Sequence, residues 1–310
     1  MIFTVTLNPA LDKTVVIPGF AAGKVNRVQQ QRVDPGGKGV NVSRTLRKTL
    51  GVGSVACGIV GGGAGRYLRD CLAETGIETD LVETAAETRT NLKIMDPEEH
   101  TNTDINEAGA PVPAETLEAV LRRLLARLAP GDRVVLAGKG PAGCPDALFG
   151  DWIPRLKAAG AKVYLDADGE LLRAGAAAAP SMIKPNGEEL ARLMGRPMER
   201  DEDRIAALRT LAARGIGTVA LSLGAEGALF LRDGVLLRGA GLDVPVGSTV
   251  GAGDAMMAAF CAGDEAGRSF PDTCRLAMAV SAAAVMTPGT MPPGPKAVAA
   301  LLPRVRLETV

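Results

Sequence analysis

Histidine is nearly missing from this chain of 310 residues, and cysteine is sparse. The single His100 lies in the polar, acidic run 96–102, which indicates a solvated turn and disfavours any mechanism built on a histidine dyad. The five cysteines are widely spaced and form no C-x-x-C pair. This pattern is typical of small buried residues in a reduced, cytoplasmic protein, and it disfavours disulfides and a zinc site.

Net charge and long apolar runs are absent as well. Lys and Arg together number 35 and are balanced by 35 Asp and Glu, so no basic excess points to nucleic acid or to an anionic membrane. The most apolar late stretch, residues 276–286, is shorter than the about 20 residues that cross a bilayer. Residues 2–7 have no basic segment before them and predict a strand, so we expect neither a signal peptide nor a membrane partner.

The length and the hydrophobic pattern favour one α/β domain over residues 1–310. From residue 113 onward, predicted helices (113–128, 145–158, 187–194, 201–213) alternate with predicted strands (133–137, 162–165, 182–183, 218–223). This rhythm predicts a mostly parallel sheet flanked by helices, with ligands at the carboxyl ends of its strands. The β-like pieces at about 13–33 and 88–107 do not fit the rhythm, and we expect them to form one small sheet from two insertions.

Two glycine clusters imitate nucleotide-binding motifs without meeting their requirements. The run 61–65 follows a strand and opens a helix, but Arg66 stands where a dinucleotide fingerprint needs glycine. The run 19–25 has three residues between its glycines where a P-loop needs four, and Val25 stands where a metal-binding Ser or Thr is required. The sequence therefore disfavours both a dehydrogenase and a P-loop enzyme.

The stretch 247–254, G-S-T-V-G-A-G-D, reads as a loop that feeds a helix beginning near Gly251. The free N–H groups and the positive dipole end of such a helix form an anion site. Asp254 lies in the first turn, where an acid can simply complement the dipole. It could equally take a proton from a hydroxyl while the N–H groups hold developing negative charge. The residues alone leave both interpretations open.

The longer string S-T-V-G-A-G-D-A-M resembles the C-terminal signature of the PfkB/ribokinase family of sugar kinases. The run 34–43, D-P-G-G-K-G-V-N-V-S, is expected to open a helix, and it resembles the N-terminal signature of that family. T-L-N-P-A-L-D near the start is typical of the family's sugar-phosphate kinase branch. K-P-N-G-E-E at 184–189 is similar to the family's motif near the nucleotide phosphates. The resemblance implies a ribokinase-like fold, with the small sheet as a β lid.

The resemblance also implies roles for named residues. Asp254 would be the catalytic base, and Gly251, Ala252 and Gly253 would hold the transferred charge. The substrate side would comprise Asp12, Lys24, Gly36, Gly37, Lys38, Asn41, Arg89, Lys93 and Lys139, with Arg27 adding positive charge. The nucleotide side would comprise Lys184, Asn186, Ser222, Gly224, Glu226, Gly227, Ser248 and Thr249, and Asn186 and Glu189 would lie around Mg²⁺. Each motif also has an ordinary structural interpretation, such as helix capping by Asn186 and Glu189.

The implied reaction is the ATP-dependent phosphorylation of a sugar phosphate. Fructose 1-phosphate is the first candidate, tagatose 6-phosphate is the alternative, and a non-catalytic sugar-phosphate sensor on the same fold is the rival from another class. Lys139 departs from the family pattern, which usually has Ser there, so we expect it to contact the substrate phosphate or to pair with an acid such as Asp12. The resemblance further suggests a homodimer joined through the β lid.

Overall fold

A computed structural model describes all residues from 1 to 310. It contains fourteen strands: β1 Ile2–Thr6, β2 Ala10–Val16, β3 Gln30–Gly36, β4 Val55–Gly61, β5 Glu78–Thr84, β6 Arg89–Asp96, β7 Thr101–Asn106, β8 Arg133–Gly138, β9 Lys162–Ala167, β10 Met182–Ile183, β11 Thr218–Ser222, β12 Gly227–Arg232, β13 Val235–Ala240 and β14 Leu307–Thr309. Its ten α-helices are α1 Lys38–Leu50, α2 Gly62–Glu74, α3 Ala114–Arg127, α4 Leu148–Ala158, α5 Gly169–Ala177, α6 Gly187–Met194, α7 Asp201–Ala213, α8 Ala252–Glu265, α9 Phe270–Val285 and α10 Pro295–Leu301. No helix is long and apolar enough to span a bilayer.

Ten strands form the main sheet, in the order β14-β13-β12-β11-β10-β9-β8-β1-β4-β5. The strands from β5 to β11 in this order pair in parallel, whereas β11 to β14 pair antiparallel. The central parallel strands β1, β4 and β8 are buried along their whole length, as coverage of the sheet on both faces requires. The predicted α/β class with a mostly parallel sheet is therefore confirmed.

Helices cover both faces of the main sheet and enclose a hydrophobic core on each. One core of 36 buried residues contains Leu121 of α3, Trp152 of α4 and Leu208 of α7. The other, of 30 residues, contains Met257 of α8 and Val280 of α9. Full burial of each such side chain stabilises the fold by roughly 1.5–3 kcal/mol. The cores fix the strand ends at which the polar cavity lies.

The second sheet has four strands in the order β3-β2-β6-β7. β2 pairs antiparallel with β3, and β6 pairs antiparallel with β7, while β2 and β6 run parallel. Both segments that the sequence placed outside the helix–strand rhythm contribute to this sheet. The strand β3 runs through Asp34 and Pro35 to Gly36, where we had expected the chain to be opening a helix already.

Three elements were not expected from the sequence. The edge strand β5 has a polar, half-buried composition that gives no clear strand signal. The three-residue strand β14 forms only because β13 offers a free edge to the end of the chain. The helix α10, near the end of the chain, has only seven residues and was not predicted.

Candidate active site

A cavity of about 500 Å³ opens at the carboxyl ends of the main-sheet strands, where they face the small sheet. Only two of its 27 lining residues are hydrophobic, Leu92 and Val250, so it fits a polar ligand. The structure brings many of the predicted site residues to this one cavity: Asp12, Gly37, Lys38, Asn41, Arg89, Lys93, Lys139, Lys184, Asn186, Glu189, Ser222, Gly251, Gly253 and Asp254.

Asp254 lies in the first turn of α8 and is only 7% exposed. Nδ2 of Asn41, on α1, donates to Oδ2 of Asp254 over 2.8 Å. Burial raises the pKa of the Asp254 carboxyl to about 7, and repulsion from Asp166 adds to the shift. The side chain is therefore a buried, oriented carboxyl whose proton affinity matches a base that works near neutral pH.

The N-terminus of α8 forms an open cradle beside this carboxyl. Gly251 precedes the helix with φ of 86°, a conformation that favours glycine, and no side chain caps the helix. The N–H groups of Gly253 and Asp254 donate to no protein acceptor. A Cβ atom at Gly253 would lie 2.9 Å from Nζ of Lys184. Free N–H groups and an ammonium therefore face the same space, which fits an anionic group such as a phosphate.

The half-buried Lys38 and the buried Lys184 share one carboxylate that the sequence analysis missed. Asp166, at the end of β9, is 1% exposed and lies 3.0 Å from Nζ of Lys38 and 3.1 Å from Nζ of Lys184. Lys38 also contacts Asp168 at 3.1 Å and Glu189 at 3.6 Å. Burial alone would lower the pKa of Lys38, but these carboxylates outweigh it and raise the pKa. Lys38 was expected on the substrate side, and it does line the cavity, but acids of the protein already balance its charge.

Asn186 and Glu189 form a reciprocal capping box at the start of α6. Oδ1 of Asn186 accepts from the N–H of Glu189, and Oε2 of Glu189 accepts from the N–H of Asn186, both over 2.8 Å. Burial raises the pKa of Glu189 to about 7, helped by a hydrogen bond with Asp168. The two residues therefore cap α6, as their ordinary structural interpretation predicts, and both also line the cavity.

The acidic side chains do not form a closed metal cage: no group of three or more His, Cys, Asp or Glu side chains is arranged to hold an ion. The oxygens that Asp168 and Glu189 present to the cavity fit Mg²⁺, which prefers oxygen ligands and usually keeps several waters. An ion here would be held mainly through water and phosphate oxygens.

At the small-sheet end of the cavity, Asp12, Asn91 and Arg89 form a chain of polar contacts. Nδ2 of Asn91 donates to Oδ1 of Asp12 over 2.9 Å, and Nη1 of Arg89 donates to Oδ1 of Asn91 over 3.2 Å. Burial raises the pKa of Asp12 despite these partners. Arg89 also donates to the carbonyl oxygens of Asn8 and Glu107. It is therefore a fixed cation beside Asp12.

The structure changes the predicted substrate contacts of three lysines. Lys93, expected on the substrate side, lines the cavity but lies 3.6 Å from Asp104, because the two residues are directly opposed on β6 and β7. Lys24 is exposed on the loop between β2 and β3 and does not line the cavity, nor does Arg27. Lys139 does line it, but it forms no ion pair with Asp12, and the carboxyl whose pKa it helps to lower is Asp168.

The predicted nucleotide-side turn lies mostly outside the cavity. Ser222 lines it, whereas Gly224, Glu226, Gly227, Ser248 and Thr249 do not, and neither do Ala252 or Gly36. Glu226 instead pairs with Arg204 at 2.8 Å. A Cβ atom at Gly227 would lie 2.0 Å from the carbonyl oxygen of Gly239, so packing between strands explains this glycine. A Cβ atom at Gly36 would lie 2.2 Å from Oδ2 of Asp12, so this glycine makes room for that carboxylate.

The chain is similar to known proteins over almost its whole length. Residues 5–297 match the family described as pfkB family carbohydrate kinase. The chain is 39% identical over 310 residues to a 1-phosphofructokinase of Rhodobacter capsulatus, covering all of this chain and 98% of that protein. It is 34% identical over 305 residues to the 1-phosphofructokinase of Escherichia coli K12, covering 98% and 97%. The structure of Escherichia coli phosphofructokinase-2 in complex with substrates and products superposes with a TM-score of 0.93 at 26% identity, covering 98% of each chain.

Proposed function

Because this chain belongs to the pfkB family of carbohydrate kinases, we propose that it transfers the γ-phosphoryl group of ATP to a hydroxyl of fructose 1-phosphate. The chain is a phosphotransferase with an alcohol group as acceptor. The observation that carries the proposal is the buried Asp254 carboxyl, held by Asn41 at the uncapped N-terminus of α8. This pairing of a base with free N–H groups is what phosphoryl transfer to a hydroxyl requires.

The proposed mechanism assigns each step to a group of this chain. Asp254 accepts the proton of the sugar hydroxyl as its oxygen attacks phosphorus, and the bond to the leaving ADP oxygen breaks. The N–H groups at Gly253 and Asp254, with Lys184, face the charge that spreads over the transferred oxygens. Mg²⁺, when bound near Asp168 and Glu189, supplies further neutralisation of the phosphates. Asn41 keeps the Asp254 carboxyl oriented.

The cation set at the small-sheet end supports a phosphorylated acceptor. Arg89 and Lys93 of β6 line the cavity at that end, and Lys139, which follows β8 of the main sheet, lines it as well. Lys93 is paired with Asp104, but Arg89 and Lys139 form no ion pair within the protein, so a neutral sugar would leave these two cations without a contacting counter-charge. The relatives named 1-phosphofructokinase favour fructose 1-phosphate over the alternative, tagatose 6-phosphate. The Asp254 carboxyl and the free N–H groups at the N-terminus of α8 argue against a non-catalytic sensor.

The experiment that tests the proposal is a panel of initial rates with Mg·ATP against fructose 1-phosphate, tagatose 6-phosphate, fructose 6-phosphate, free fructose and ribose. We expect the highest kcat/KM with fructose 1-phosphate. A preference for free fructose or ribose would contradict the phosphosugar proposal. A preference for a 6-phosphate would replace the substrate and leave the reaction in place, and absence of ATP consumption with every sugar would support the sensor.

The same panel tests Lys139 as a contact of the substrate phosphate. Lys139→Ser should raise KM for the sugar phosphate about 10-fold, because a hydrogen bond to a charged group is worth roughly 1.5–3 kcal/mol. The KM for ATP should change little. Lys162→Ser is the matched control, since Lys162 is an exposed lysine at the start of β9, and the cavity lies at the other end of that strand. Equal effects of both substitutions would identify Lys139 as an ordinary surface lysine.

We also propose a homodimer joined through the small sheet. All six residues of its edge strand β7 are exposed, and three exposed apolar side chains, Val25, Val28 and Ile105, belong to this sheet or its connecting loop. An open strand edge with apolar neighbours is suited to pairing with a second copy.

A reducing compartment such as the cytoplasm is the location we propose. The five cysteines are all free, and Cys57, Cys261 and Cys274 are buried. Burial raises the pKa of the Cys57 thiol to about 12, which leaves it inert.

A further inference from the structure

A charged cluster connects the small sheet to the loop 286–291 that borders the cavity. Its members are Arg32 and Asp34 on β3 and Arg44 on α1. The proposed mechanism uses none of them. The cluster nevertheless touches both halves of the cavity, since β3 ends beside Asp12 and the loop ends beside Gly251.

Arg32 bridges a carboxylate and a carbonyl from distant parts of the chain. Its Nε lies 2.5 Å from Oδ2 of Asp34, and its Nη2 donates to the carbonyl oxygen of Pro288 over 3.2 Å. A Cβ atom at Gly289 would lie 3.1 Å from Nη2 of Arg32 and 3.8 Å from Oγ1 of Thr14. The loop therefore packs directly against two strands of the small sheet.

Arg44, on α1, makes a second connection between β3 and the loop 286–291. Its Nη2 lies 3.2 Å from Oδ1 of Asp34, and its Nη1 donates to the carbonyl oxygens of Pro35, over 2.9 Å, and of Thr290, over 3.3 Å. The arginine is 4% exposed, and burial lowers its pKa despite the nearby acids. A guanidinium with so little water depends on these partners staying in place.

The loop reaches the anion cradle directly. A Cβ atom at Gly251 would lie 3.7 Å from Cα of Thr290, and Gly289 and Thr290 both line the cavity. On the other side of the cluster, Gly36 abuts the carboxylate of Asp12. Two arginines joined by Asp34 thus span the distance from the proposed sugar contact to the proposed phosphate cradle.

We propose that Arg32 and Arg44, joined by Asp34, are positioning residues that make the sugar phosphate and the nucleotide bind cooperatively. The inference rests on the proposed function, because it needs one ligand in each half of the cavity. A ligand that orders the small sheet also holds the loop 286–291 in place through these bonds. Binding of the second ligand therefore costs less conformational entropy. By linkage, each ligand raises the affinity for the other by the same factor.

The test is isothermal titration of Mg²⁺ with a non-hydrolysable ATP analogue, with and without saturating fructose 1-phosphate. The ratio of the two dissociation constants should be about 5-fold or more in the unsubstituted protein. Arg32→Ala should bring the ratio close to one. Arg47→Ala is the matched control, because Arg47 is an exposed arginine of α1 that donates to the Thr75 carbonyl oxygen, away from the cavity. It should keep the full ratio.

Arg32→Lys provides a second variant that keeps the charge but loses the planar fork, and its ratio should also fall. A ratio that stays unchanged in both Arg32 variants while both ligands still bind would overturn this inference alone, as would a ratio of one in the unsubstituted protein. Failure of the unsubstituted protein to bind either ligand would contradict the proposed function itself, and with it the inference.

Discussion

The Asp254 carboxyl gains its proton affinity from its surroundings more than from its place on a helix. A helix N-terminus by itself favours the charged form of an acid. Burial and the repulsion from Asp166 act in the opposite direction and win, so the pKa rises to about 7. The nearby Lys38 and Lys184 limit the shift. The carboxyl can therefore both accept a proton from a hydroxyl and release it again near neutral pH.

Asp254→Asn should lower kcat by about 10²–10⁴-fold, the usual contribution of a general base, while the affinity for ATP changes little. The measurement is steady-state turnover with fructose 1-phosphate. Asp272→Asn is the control, because Asp272 occupies the first turn of α9 and is exposed. If both variants retain nearly full turnover, Asp254 only complements its helix dipole.

The raised pKa of Asp254 also predicts how stability depends on pH. The folded state binds this proton more tightly than the unfolded state, whose carboxyl keeps a pKa near 3.8. The contribution of this group to the free energy of unfolding therefore falls as pH rises from about 4 to about 7. The unsubstituted protein loses this contribution between pH 5 and pH 8, and Asp254→Asn does not. The Tm of the variant minus the Tm of the unsubstituted protein should therefore be larger at pH 8 than at pH 5. A difference in Tm that is the same at both pH values would contradict the raised pKa.

Residues inside long motifs could be predicted from the sequence, whereas partners supplied by the fold could not. Asp254 and Asn41 each stand in an ordered motif, and the structure joins them at 2.8 Å. Asp166 stands in no such motif, and its only signal was an acid at the end of a buried strand. The partner of Lys93 was missed because Asp104 faces it only after two strands pair.

At the scale of elements, α8 is fixed at both ends. Its N-terminus forms the cradle, and its C-terminus is held by Asp264, whose carboxylate accepts from Tyr164 over 2.5 Å and from two nitrogens of Arg232 over 3.0 and 3.1 Å. Arg133 pairs with the adjacent Glu265. This distant anchor sets the position of the helix on the sheet.

Asp264→Ala should destabilise the protein by about 2–4 kcal/mol, because it leaves two nitrogens of Arg232 and the hydroxyl of Tyr164 partly buried without an acceptor. Urea unfolding measures the change. Glu118→Ala, which breaks an exposed pair with Arg155, should stay within about 0.5 kcal/mol. Equal effects would mean that solvent satisfies the Asp264 partners.

Elements with strong periodicity were predictable, and elements that depend on a neighbour were not. The strand β8 and the helix α3 match their predicted positions within one residue at each end, since their apolar spacing is unambiguous. The strand β14 exists only through its pairing with β13. The start of α1 was placed early because Asp34 and Pro35, usual in turns, here belong to a strand.

At the scale of the whole molecule, the small sheet decides the expected assembly. Ile105→Asp should give a monomer in light scattering at micromolar concentration, because a charge on the exposed β7 opposes pairing with a second copy. Val235→Asp, on the exposed start of β13 in the main sheet, should leave the dimer intact. A monomer before any substitution would contradict the proposed dimer.

The parallel pairing of β2 with β6 makes the small sheet indivisible. A sheet built from one insertion can be gained or deleted as a continuous piece of chain. Here the pair β2–β3 or the pair β6–β7 alone would be a two-stranded ribbon, which is marginally stable in water. Removing either segment in an engineered chain should therefore unfold the other, so that a minimal version of this protein must keep both insertions or neither.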